Sequence, residues 1–256
     1  PYIYAHETID DCLGRIKSYS EDSIPVLDME NRLLGVITAQ DFMEILDEEM
    51  GEDYAKLGGL SSEEDLKESL AVSVKKRLPW LIILLGLGLG VSSVVGIFES
   101  VVAQLTIVVC FQSLVLDMAG NVGTQSLAVT IRVLIDENLG GFQKLSLIWK
   151  ETKIGFLNGI ILALISFGMI GIYTWLFKGK DLFFAFAVAG CVGTALLLSM
   201  SLAAFSGTVI PVFFKKIKID PAVASGPLIT TVNDLVAVVA YYGLAWIFLI
   251  QILHLA

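Results

Sequence analysis

Five long hydrophobic runs dominate the chain beyond its first 77 residues. Three contain no charged residue, namely 78–98, 154–177 and 182–214, and two contain one carboxylate each, Asp117 within 101–131 and Asp234 within 221–253. Each run matches or exceeds the roughly 20 residues that cross a ~30 Å hydrocarbon layer as an α-helix. The pattern therefore predicts a mostly α-helical polytopic membrane protein with five transmembrane helices.

The first part of the chain follows a different pattern. Residues 23–38 form two short apolar runs around the turn Met-Glu-Asn-Arg, which predicts two strands. Thr38 can cap a helix after them, and an amphipathic helix is predicted before them, at about residues 8–19. We divide the chain into a partial α/β domain at 1–50, an acidic linker with a connecting helix at 51–77, and a membrane domain at 78–256.

Acidic residues are concentrated in the first segment. Residues 1–78 contain 18 Asp and Glu against 8 Lys and Arg, whereas residues 79–256 contain 8 against 9. Such a segment repels nucleic acid and anionic lipid and attracts cations. The balance favours a divalent metal as partner and excludes nucleic acid.

Basic residues predict the orientation in the membrane. Ten of them share one side of the predicted membrane domain: Lys75, Lys76, Arg77, Arg132, Lys144, Lys150, Lys153, Lys215, Lys216 and Lys218. The opposite side has only Lys178 and Lys180. The positive-inside rule therefore places the N-terminal segment in the cytoplasm and the C-terminus outside.

Catalytic chemistry has little support in the sequence. Cys12, Cys110 and Cys191 are far apart, and we interpret them as structural thiols. His6 and His254 lie at opposite ends of the chain, and no Walker, zinc or Ser-His-Asp pattern occurs. We therefore expect no enzyme activity.

An acidic stretch joins the two parts of the chain. Its carboxylates are Asp41, Glu44, Asp47, Glu49, Glu52 and Asp53. Two interpretations stay open, a solvated helix face or a divalent-cation site shared with an opposing acidic surface. Ser62 is predicted to cap an amphipathic helix that continues through Lys76 into span one.

Small and polar residues interrupt spans one and two. Gly86, Gly88 and Gly90 in span one indicate close helix packing rather than nucleotide binding. Span two contains the run GNVGTQ at 120–125, in which glycines can let backbone carbonyls face a cavity and the polar side chains can form hydrogen bonds. This run lines water or packs against another helix.

Span five contains a charged residue where an apolar one is expected. Pro221 suits a first helical turn after Asp220, and Gly226-Pro227 is predicted to kink or open the helix. A charge in mid-helix costs ~2.5–3.5 kcal/mol on insertion scales, and no Lys or Arg within the spans can pair with Asp234. This carboxylate needs water, a proton or a cation, or else it is neutral and buried.

The segment Leu34-Gly35-Val36-Ile37-Thr38 and the helix after it resemble the second half of a CBS domain. Such modules usually work in pairs and often bind nucleotides. Thr38 and Asp41 match the ribose and phosphate pattern Thr-x-x-Asp of that module, which makes them candidate nucleotide ligands. The alternative is a helix N-cap with an acid in the first turn.

The whole arrangement resembles the MgtE family of magnesium channels. The resemblance rests on the partial CBS module, the acidic linker, five spans, GNVGTQ in span two and DPAVASGPLITTVND in span five. It implies a homodimer in a prokaryotic (inner) cell membrane, with an ion pore on the two-fold axis lined by spans two and five. Since this sequence starts at Pro1 without the family's N-terminal domain and first CBS repeat, we expect a fragment with weakened magnesium inhibition.

The resemblance also implies roles for particular residues. Asp234 matches the ion-binding carboxylate, with Gly120, Asn121, Gly123 and Thr230 as its pore neighbours. The regulatory metal ligands match Asp41, Glu44, Glu49, Glu52 and Asp53, and Asp220 matches a carboxylate at the cytoplasmic pore mouth. Thr124 and Gly226 replace Asn residues found in some members, and Asp117 has no assigned role in the family.

The implied activity is passive uptake of hydrated Mg²⁺, driven by an inside-negative potential worth ~2.3 kcal/mol per charge per 100 mV. Cytoplasmic Mg²⁺ would inhibit it by binding the acidic residues and moving the connecting helix as a plug. Co²⁺, Mn²⁺ and Ca²⁺ are candidate competing ions, and ATP is a candidate ligand of a complete CBS pair. Two alternatives stay open, a proton- or sodium-coupled transporter of divalent cations and a membrane metal sensor without transport.

Overall fold

The computed structural model describes residues 2–7, 12, 23–62, 67–136 and 139–255. It divides into two compact units, residues 1–55 and residues 56–256. Apart from residue 12, the helix predicted at about 8–19 lies outside the described residues.

The first unit contains a three-stranded sheet. Its strands are β1 (Ile3–Tyr4), β2 (Ser23–Leu27) and β3 (Leu33–Thr38), in the order β1-β2-β3. β1 runs parallel to β2, and β2 runs antiparallel to β3 with Ile24 opposite Ile37. The two predicted strands are confirmed, whereas β1 was not predicted because two residues are too short for a recognisable alternation.

A tight turn between β2 and β3 fixes their register. Asp28 Oδ1 accepts hydrogen bonds from the backbone N–H groups of Glu30 at 2.9 Å and Arg32 at 2.7 Å. Asn31 has a φ of 59°, a left-handed conformation that asparagine tolerates better than most residues. The turn predicted from Met-Glu-Asn-Arg is therefore confirmed. Helix α1 (Ala39–Leu57) follows β3 directly.

The second unit is a bundle of long helices. They are α2 (Leu70–Ile97), α3 (Glu99–Gln104), α4 (Val109–Asp136), α5 (Gly141–Lys178), α6 (Leu182–Lys216) and α7 (Gly226–Leu244), with 3-10 turns at Thr106–Val108 and Pro221–Val223 and a π-helical segment at Ala245–Ile252. Five segments are long and apolar enough to cross a membrane, at Leu70–Ile97, Thr106–Leu134, Gly141–Lys178, Leu182–Lys216 and Gly226–Ile252. The five predicted spans are confirmed.

Helix α6 lies at the centre of this unit, packed against α4, α5 and α7. Small residues allow the closest approaches: a Cβ added to Gly155 of α5 would lie 2.5 Å from the Cβ of Ala204 and 2.8 Å from the carbonyl oxygen of Met200. Because lipid and apolar side chains are about equally hydrophobic, such close packing contributes much of the attraction between membrane helices. Cys191 lies buried in this core, whereas Cys110 is exposed, so burial supports the structural interpretation only for Cys191 in this unit.

The connection between α5 and α6 has local signals that fix its ends. Gly179 ends α5 in the left-handed conformation with a φ of 61°, and the Asp181 side chain caps α6 by accepting from the N–H of Phe183 at 2.9 Å. At the other end of the bundle, Lys215 Nζ donates to the Leu134 carbonyl, so a cation stabilises the carboxyl end of α4.

Helix α2 differs from the prediction in two respects. It begins at Leu70, and Ser62 and residues 67–69 are not helical, so the predicted continuous helix from Ser62 to Lys76 is wrong; residues 63–66 lie outside the described residues. Ser61 N–H donates to the Lys76 carbonyl at 3.2 Å, which folds the linker back along α2. Furthermore, no side chain of α2 is buried, and a Cβ added to any glycine at 86, 88 or 90 would meet no atom within 4 Å. Their predicted close packing is therefore not made within the described part of this chain.

Candidate functional site

A groove-shaped cavity of about 560 Å³ lies between α4 and α7. Seven of its ten lining residues have polar side chains, and the lining consists of Val109, Gln112, Ser113, Leu116, Asp117, Gly120, Asn121, Thr124, Thr230 and Asp234. Asp117 and Asn121 are exposed and Asp234 is half-buried, so the groove is open along one side. It contains four of the five predicted pore residues.

Helical periodicity brings these side chains together. Along α4 the lining residues recur every three or four positions, which places Ser113, Asp117 and Asn121 on one face of the helix. Thr230 and Asp234 are four residues apart on α7 and share its facing side. Sequence spacing alone therefore defines both walls of the groove, and the packing of α4 against α7 joins them.

Gly120 brings α4 close to Thr230 on the other wall of the groove. A Cβ on Gly120 would lie 3.1 Å from Thr230 Cγ2, so a larger residue there would require the Thr230 side chain to shift. Thr230 Oγ1 donates to the Gly226 carbonyl at 2.9 Å, and Thr124 Oγ1 donates to the Asn121 carbonyl at 2.9 Å. Both hydroxyl oxygens keep lone pairs that can accept hydrogen bonds from groove water.

Gly123, the fifth predicted pore residue, is not among the residues that line this groove. It lies in the crossing of α4, α6 and α7, where an added Cβ would be 1.8 Å from Asn233 Nδ2. Gly123 is turned by only about 60° from Gly120 around the helix, so its contacts with Asn233 of α7 and Gly207 of α6, and not its angular position, separate it from the groove. The absence of a side chain at Gly123 therefore allows close helix packing, and the Gly123 carbonyl does not face the cavity.

The charge of the groove is negative. Asp117 on α4 and Asp234 on α7 both line it, and the residues that line it include no Lys or Arg. Two carboxylates in a site partly screened from water repel each other, and a cation between them relieves that repulsion. Carboxylate, amide and hydroxyl oxygens are also the ligands that hard divalent cations and their water shells prefer.

The start of α7 is held by side-chain hydrogen bonds. Asp220 Oδ1 accepts from the Ala222 N–H at 2.9 Å, and Ser225 Oγ accepts from Trp80 Nε1 of α2 at 2.9 Å. Gly226-Pro227 was predicted to kink or open the helix, and the span is open there, since α7 begins at Gly226 after the 3-10 turn Pro221–Val223 and the proline follows in its first turn. Proline is tolerated there because the first helical N–H groups have no intrahelical partner.

Asp220 is already paired with a cation of this chain. Lys56 Nζ lies 2.8 Å from Asp220 Oδ2. Asp220, the carboxylate predicted at the pore mouth, therefore caps the 3-10 turn and also forms an ion pair.

Thr38 and Asp41 form a reciprocal cap at the start of α1. Asp41 Oδ2 accepts from Thr38 N at 2.8 Å and from Thr38 Oγ1 at 2.7 Å, while Thr38 Oγ1 accepts from Asp41 N at 3.2 Å. The hydroxyl and backbone hydrogen bonds from Thr38 hold the pKa of Asp41 below its ordinary value. The capping interpretation accounts for both side chains, and the nucleotide interpretation gains no support from them.

The predicted regulatory acids all belong to α1. Asp41, Glu44, Glu52 and Asp53 are on this helix, and the side chain of Glu49 lies outside the described part. Among the described residues, no three His, Cys, Asp or Glu side chains are grouped closely enough to hold a metal.

The sequence interpretation missed two polar positions at one end of the groove. Gln112 and Ser113 line it, and the Tyr242 hydroxyl donates to Gln112 Oε1 at 2.5 Å. Tyr241 beside it donates to the Val108 carbonyl at 2.7 Å. The signal was present, since Ser113 continues the four-residue spacing of Asp117 and Asn121.

Comparison with known proteins gives the same division of the chain. A family model described as "MgtE: Divalent cation transporter" matches residues 112–244, and a CBS domain model matches residues 1–48. The first match covers α4 from residue 112, the whole of α5, α6 and α7, and nine of the ten residues that line the groove.

Three curated bacterial relatives, each named "Magnesium transporter MgtE", are similar over nearly the full chain. The Enterococcus faecalis protein is 35% identical over 96% of this chain and 52% of its own length. The Bacillus subtilis protein is 36% identical over 91% and 50%, and the Thermus thermophilus protein is 32% identical over 89% and 49%. The chain thus spans about half the length of the curated relatives it matches. Since the family model covers more than half of its residues and the five apolar helices make it a multi-pass membrane protein, the chain belongs to the MgtE family.

Proposed function

We propose that this chain forms the ion pathway of a magnesium channel, in which Asp234 holds a hydrated Mg²⁺. The observation that carries the proposal is the groove itself, which Asp234 and Asp117 line together with Asn121 and Thr230, without a basic side chain among the lining residues. The names of the three relatives support magnesium as the transported ion.

The chemistry of the groove suits a hydrated ion. Mg²⁺ releases its water reluctantly and keeps octahedral geometry, so carboxylate, amide and hydroxyl oxygens can hold its water shell by hydrogen bonds. A divalent ion also relieves repulsion between carboxylates more effectively than Na⁺ or K⁺ at the same distance. Selectivity would then combine charge with the size of the hydrated ion.

The open side of the groove favours a homodimer. Asn121 and Asp117 are exposed in the single chain, and a conducting path in a membrane has to be closed off from lipid on every side. A second copy facing the first across a two-fold axis would close the groove and bring a second Asp234 to the same ion. Isologous contact of this kind is the commonest arrangement in homodimers.

Transport through this path would be passive. An inside-negative potential contributes ~2.3 kcal/mol per charge per 100 mV, and about twice that for a divalent ion. Passive entry needs a brake, and Mg²⁺ bound by the acids of α1 would supply negative feedback by moving the linker that follows. With the N-terminal unit in the cytoplasm of a prokaryotic cell, this sensor faces the compartment whose magnesium it reports.

A coupled carrier for divalent cations is the principal alternative, in which Asp234 exchanges a proton during transport. Planar bilayers with equal pH on both sides and no Na⁺ distinguish the two. The channel predicts Mg²⁺ currents that follow the electrochemical potential of Mg²⁺ and show discrete single-channel steps. Current that appears only with a pH or Na⁺ gradient would replace the channel proposal with the carrier. A sensor without transport predicts no Mg²⁺ flux under either condition.

A further inference from the structure

Asn233, the residue immediately before Asp234, points away from the groove into the crossing of three helices. Its side chain is fully buried, with 0% of its surface exposed. Successive residues on an α-helix are turned by about 100°, so the direction of Asn233 is tied to the direction of Asp234. Whatever fixes the amide of Asn233 also fixes the rotation of α7 at the ion site.

Two contacts fix that amide. Ser206 Oγ of α6 lies 2.5 Å from Asn233 Oδ1 and 3.0 Å from the Ala203 carbonyl, and its single proton is donated to one of these two acceptors at a time. On the opposite side of the amide, Nδ2 lies against Gly123 of α4, where an added Cβ would be 1.8 Å away. The amide is therefore held between α6 and α4.

The two flanking helices are themselves in close contact. A Cβ on Gly207 of α6 would lie 2.3 Å from the carbonyl oxygen of Gly123. That neighbour is backbone, which cannot move aside as a flexible side chain would. Gly123 and Gly207 thus set the distance between α4 and α6 at which the Asn233 amide fits.

The polarity of this residue is not needed for packing. Asn233 Nδ2 is buried and has no hydrogen-bond partner among the described residues, which costs free energy that an apolar side chain of similar size would not. A directional hydrogen bond, however, fixes the rotation of a helix more sharply than apolar contact does. The amide therefore favours a single orientation of α7 at the expense of stability.

We propose that Asn233, held by Ser206 and seated between Gly123 and Gly207, is the positioning residue that sets the direction of the Asp234 carboxylate and thereby the affinity of the groove for Mg²⁺. This inference rests on the proposed function of Asp234. A rotation of α7 by 20° would displace a group ~5–6 Å from the helix axis by ~2 Å. Binding sites need their ligand groups placed within about 0.5 Å. A small gain in the rotational freedom of α7 is therefore enough to weaken Mg²⁺ binding measurably.

The test uses Ser206→Ala and Ser206→Thr in the full chain, reconstituted in liposomes at a fixed inside-negative potential. Loss of one hydrogen bond corresponds to about a fivefold change in an equilibrium constant. Ser206→Ala is therefore expected to raise the Mg²⁺ concentration for half-maximal uptake about fivefold, and Ser206→Thr, which keeps the hydroxyl, to restore it. A role in folding alone would lower the maximal rate and leave the half-maximal concentration unchanged. Gly243→Ala is the control, because a Cβ there meets no atom within 4 Å.

A double substitution distinguishes positioning from general stability. The readout is the rise in melting temperature when Mg²⁺ is added to purified protein. This rise is measured for the wild type, for Ser206→Ala, for Asp234→Asn and for the double variant. If Ser206 acts through Asp234, Ser206→Ala reduces this rise in the wild-type background and has no further effect beside Asp234→Asn. Equal effects in both backgrounds would overturn the inference.

Failure of this inference and failure of the proposed function give different results. Uptake by Asp234→Asn at the wild-type rate removes the proposed function itself. Loss of uptake in Asp234→Asn, together with an unchanged half-maximal concentration in Ser206→Ala and Asn233→Leu, leaves the channel proposal standing and removes only the positioning role.

Discussion

Lys56 Nζ lies 2.8 Å from Asp220 Oδ2, so the end of α1 is tied to the turn that precedes α7. Leu57 beside it packs with Ile229 of α7 in the same apolar cluster, and Gly59 abuts the Trp80 ring, where an added Cβ would lie 2.5 Å from Cδ1. The start of the helix that carries Asp234 is therefore in contact with residues 56–59, the first residues of the second unit.

Lys56 is expected to compete with Mg²⁺ for Asp220. Lys56→Gln keeps the length and polarity of the side chain but leaves Asp220 without this cation, so the carboxylate becomes available to a divalent ion. We predict that cytoplasmic Mg²⁺ then inhibits uptake at a concentration several-fold lower than in the wild type, measured in patches or liposomes with controlled internal Mg²⁺.

Lys218→Gln serves as the matched control, since it removes the same charge two residues from Asp220 but leaves the Lys56–Asp220 ion pair in place. The pair itself is partly exposed and contributes only ~0.2–1 kcal/mol to stability. Identical inhibition curves for Lys56→Gln and wild type would show that this ion pair does not regulate access to Asp220.

Asp117 is expected to attract cations without selecting among them. It is exposed where Asp234 is half-buried, so its charge acts across water and is screened by salt. Asp117→Asn should raise the half-maximal Mg²⁺ concentration about two- to fivefold at low ionic strength, and the difference should shrink in ~0.15 M salt. Uptake assays at the two ionic strengths measure this, with Glu99→Gln as a control outside the groove. A change in the ratio of Mg²⁺ to Ca²⁺ uptake would instead place Asp117 at the selective site.

Ser126 of α4 and Glu151 of α5 form a buried pair that sequence reasoning did not find. Ser126 Oγ donates to Glu151 Oε2 at 3.1 Å, and the residues are 3% and 5% exposed. Ser126→Ala leaves the buried carboxyl without this donor and should lower the free energy of unfolding by about 1–3 kcal/mol. Unfolding in detergent with increasing denaturant measures this, and Ser146→Ala on the exposed face of α5 should have no effect.

The same pair allows a compensation experiment. Replacing both partners with apolar groups removes the unpaired carboxyl, and such double replacements are often nearly neutral. We therefore expect Ser126→Ala with Glu151→Leu to recover most of the stability lost in Ser126→Ala. A double variant as unstable as the sum of its single variants would contradict the assigned interaction.

The cap of α1 predicts a dependence of stability on pH. Hydrogen bonds from Thr38 lower the folded-state pKa of Asp41, so the cap stabilises the fold above the ordinary carboxyl pKa of ~3.9 and loses that effect as the pH falls through the lowered value. The difference in melting temperature between wild type and Thr38→Ala should therefore be constant near neutral pH and shrink below about pH 4. Thr38→Ser, which retains the hydroxyl, should follow the wild type. If the difference in melting temperature persists unchanged at low pH, the effect of Thr38→Ala comes from lost packing and not from the cap.

Much of the fold follows from the sequence because lipid imposes strict limits on it. Each span needs a long apolar run, and a lone carboxylate in such a run needs a polar surrounding, so both the five helices and the groove around Asp234 were predictable. Gly120, Asn121 and Thr230 were expected beside Asp234 from the resemblance to the MgtE family, and all three line the same groove as Asp234.

The remaining features depend on which helix meets which. A glycine shows that something can approach closely, yet it does not identify the neighbour, so Gly123 was placed in the pore and Gly88 in a helix contact. Ser126 and Glu151 are 25 positions apart, and no local pattern relates them. The start of α2 at Leu70 was missed because the linker's return to the Lys76 carbonyl is a tertiary contact.

The most direct test of the central claim is Mg²⁺ influx into liposomes that contain wild-type protein or Asp234→Asn, at equal pH on both sides and a fixed inside-negative potential. Asp181→Asn is the control, because asparagine also caps α6 and residue 181 does not line the groove. We predict that Asp234→Asn lowers influx at least tenfold while the control conducts normally. Influx through Asp234→Asn at the wild-type rate would contradict the account.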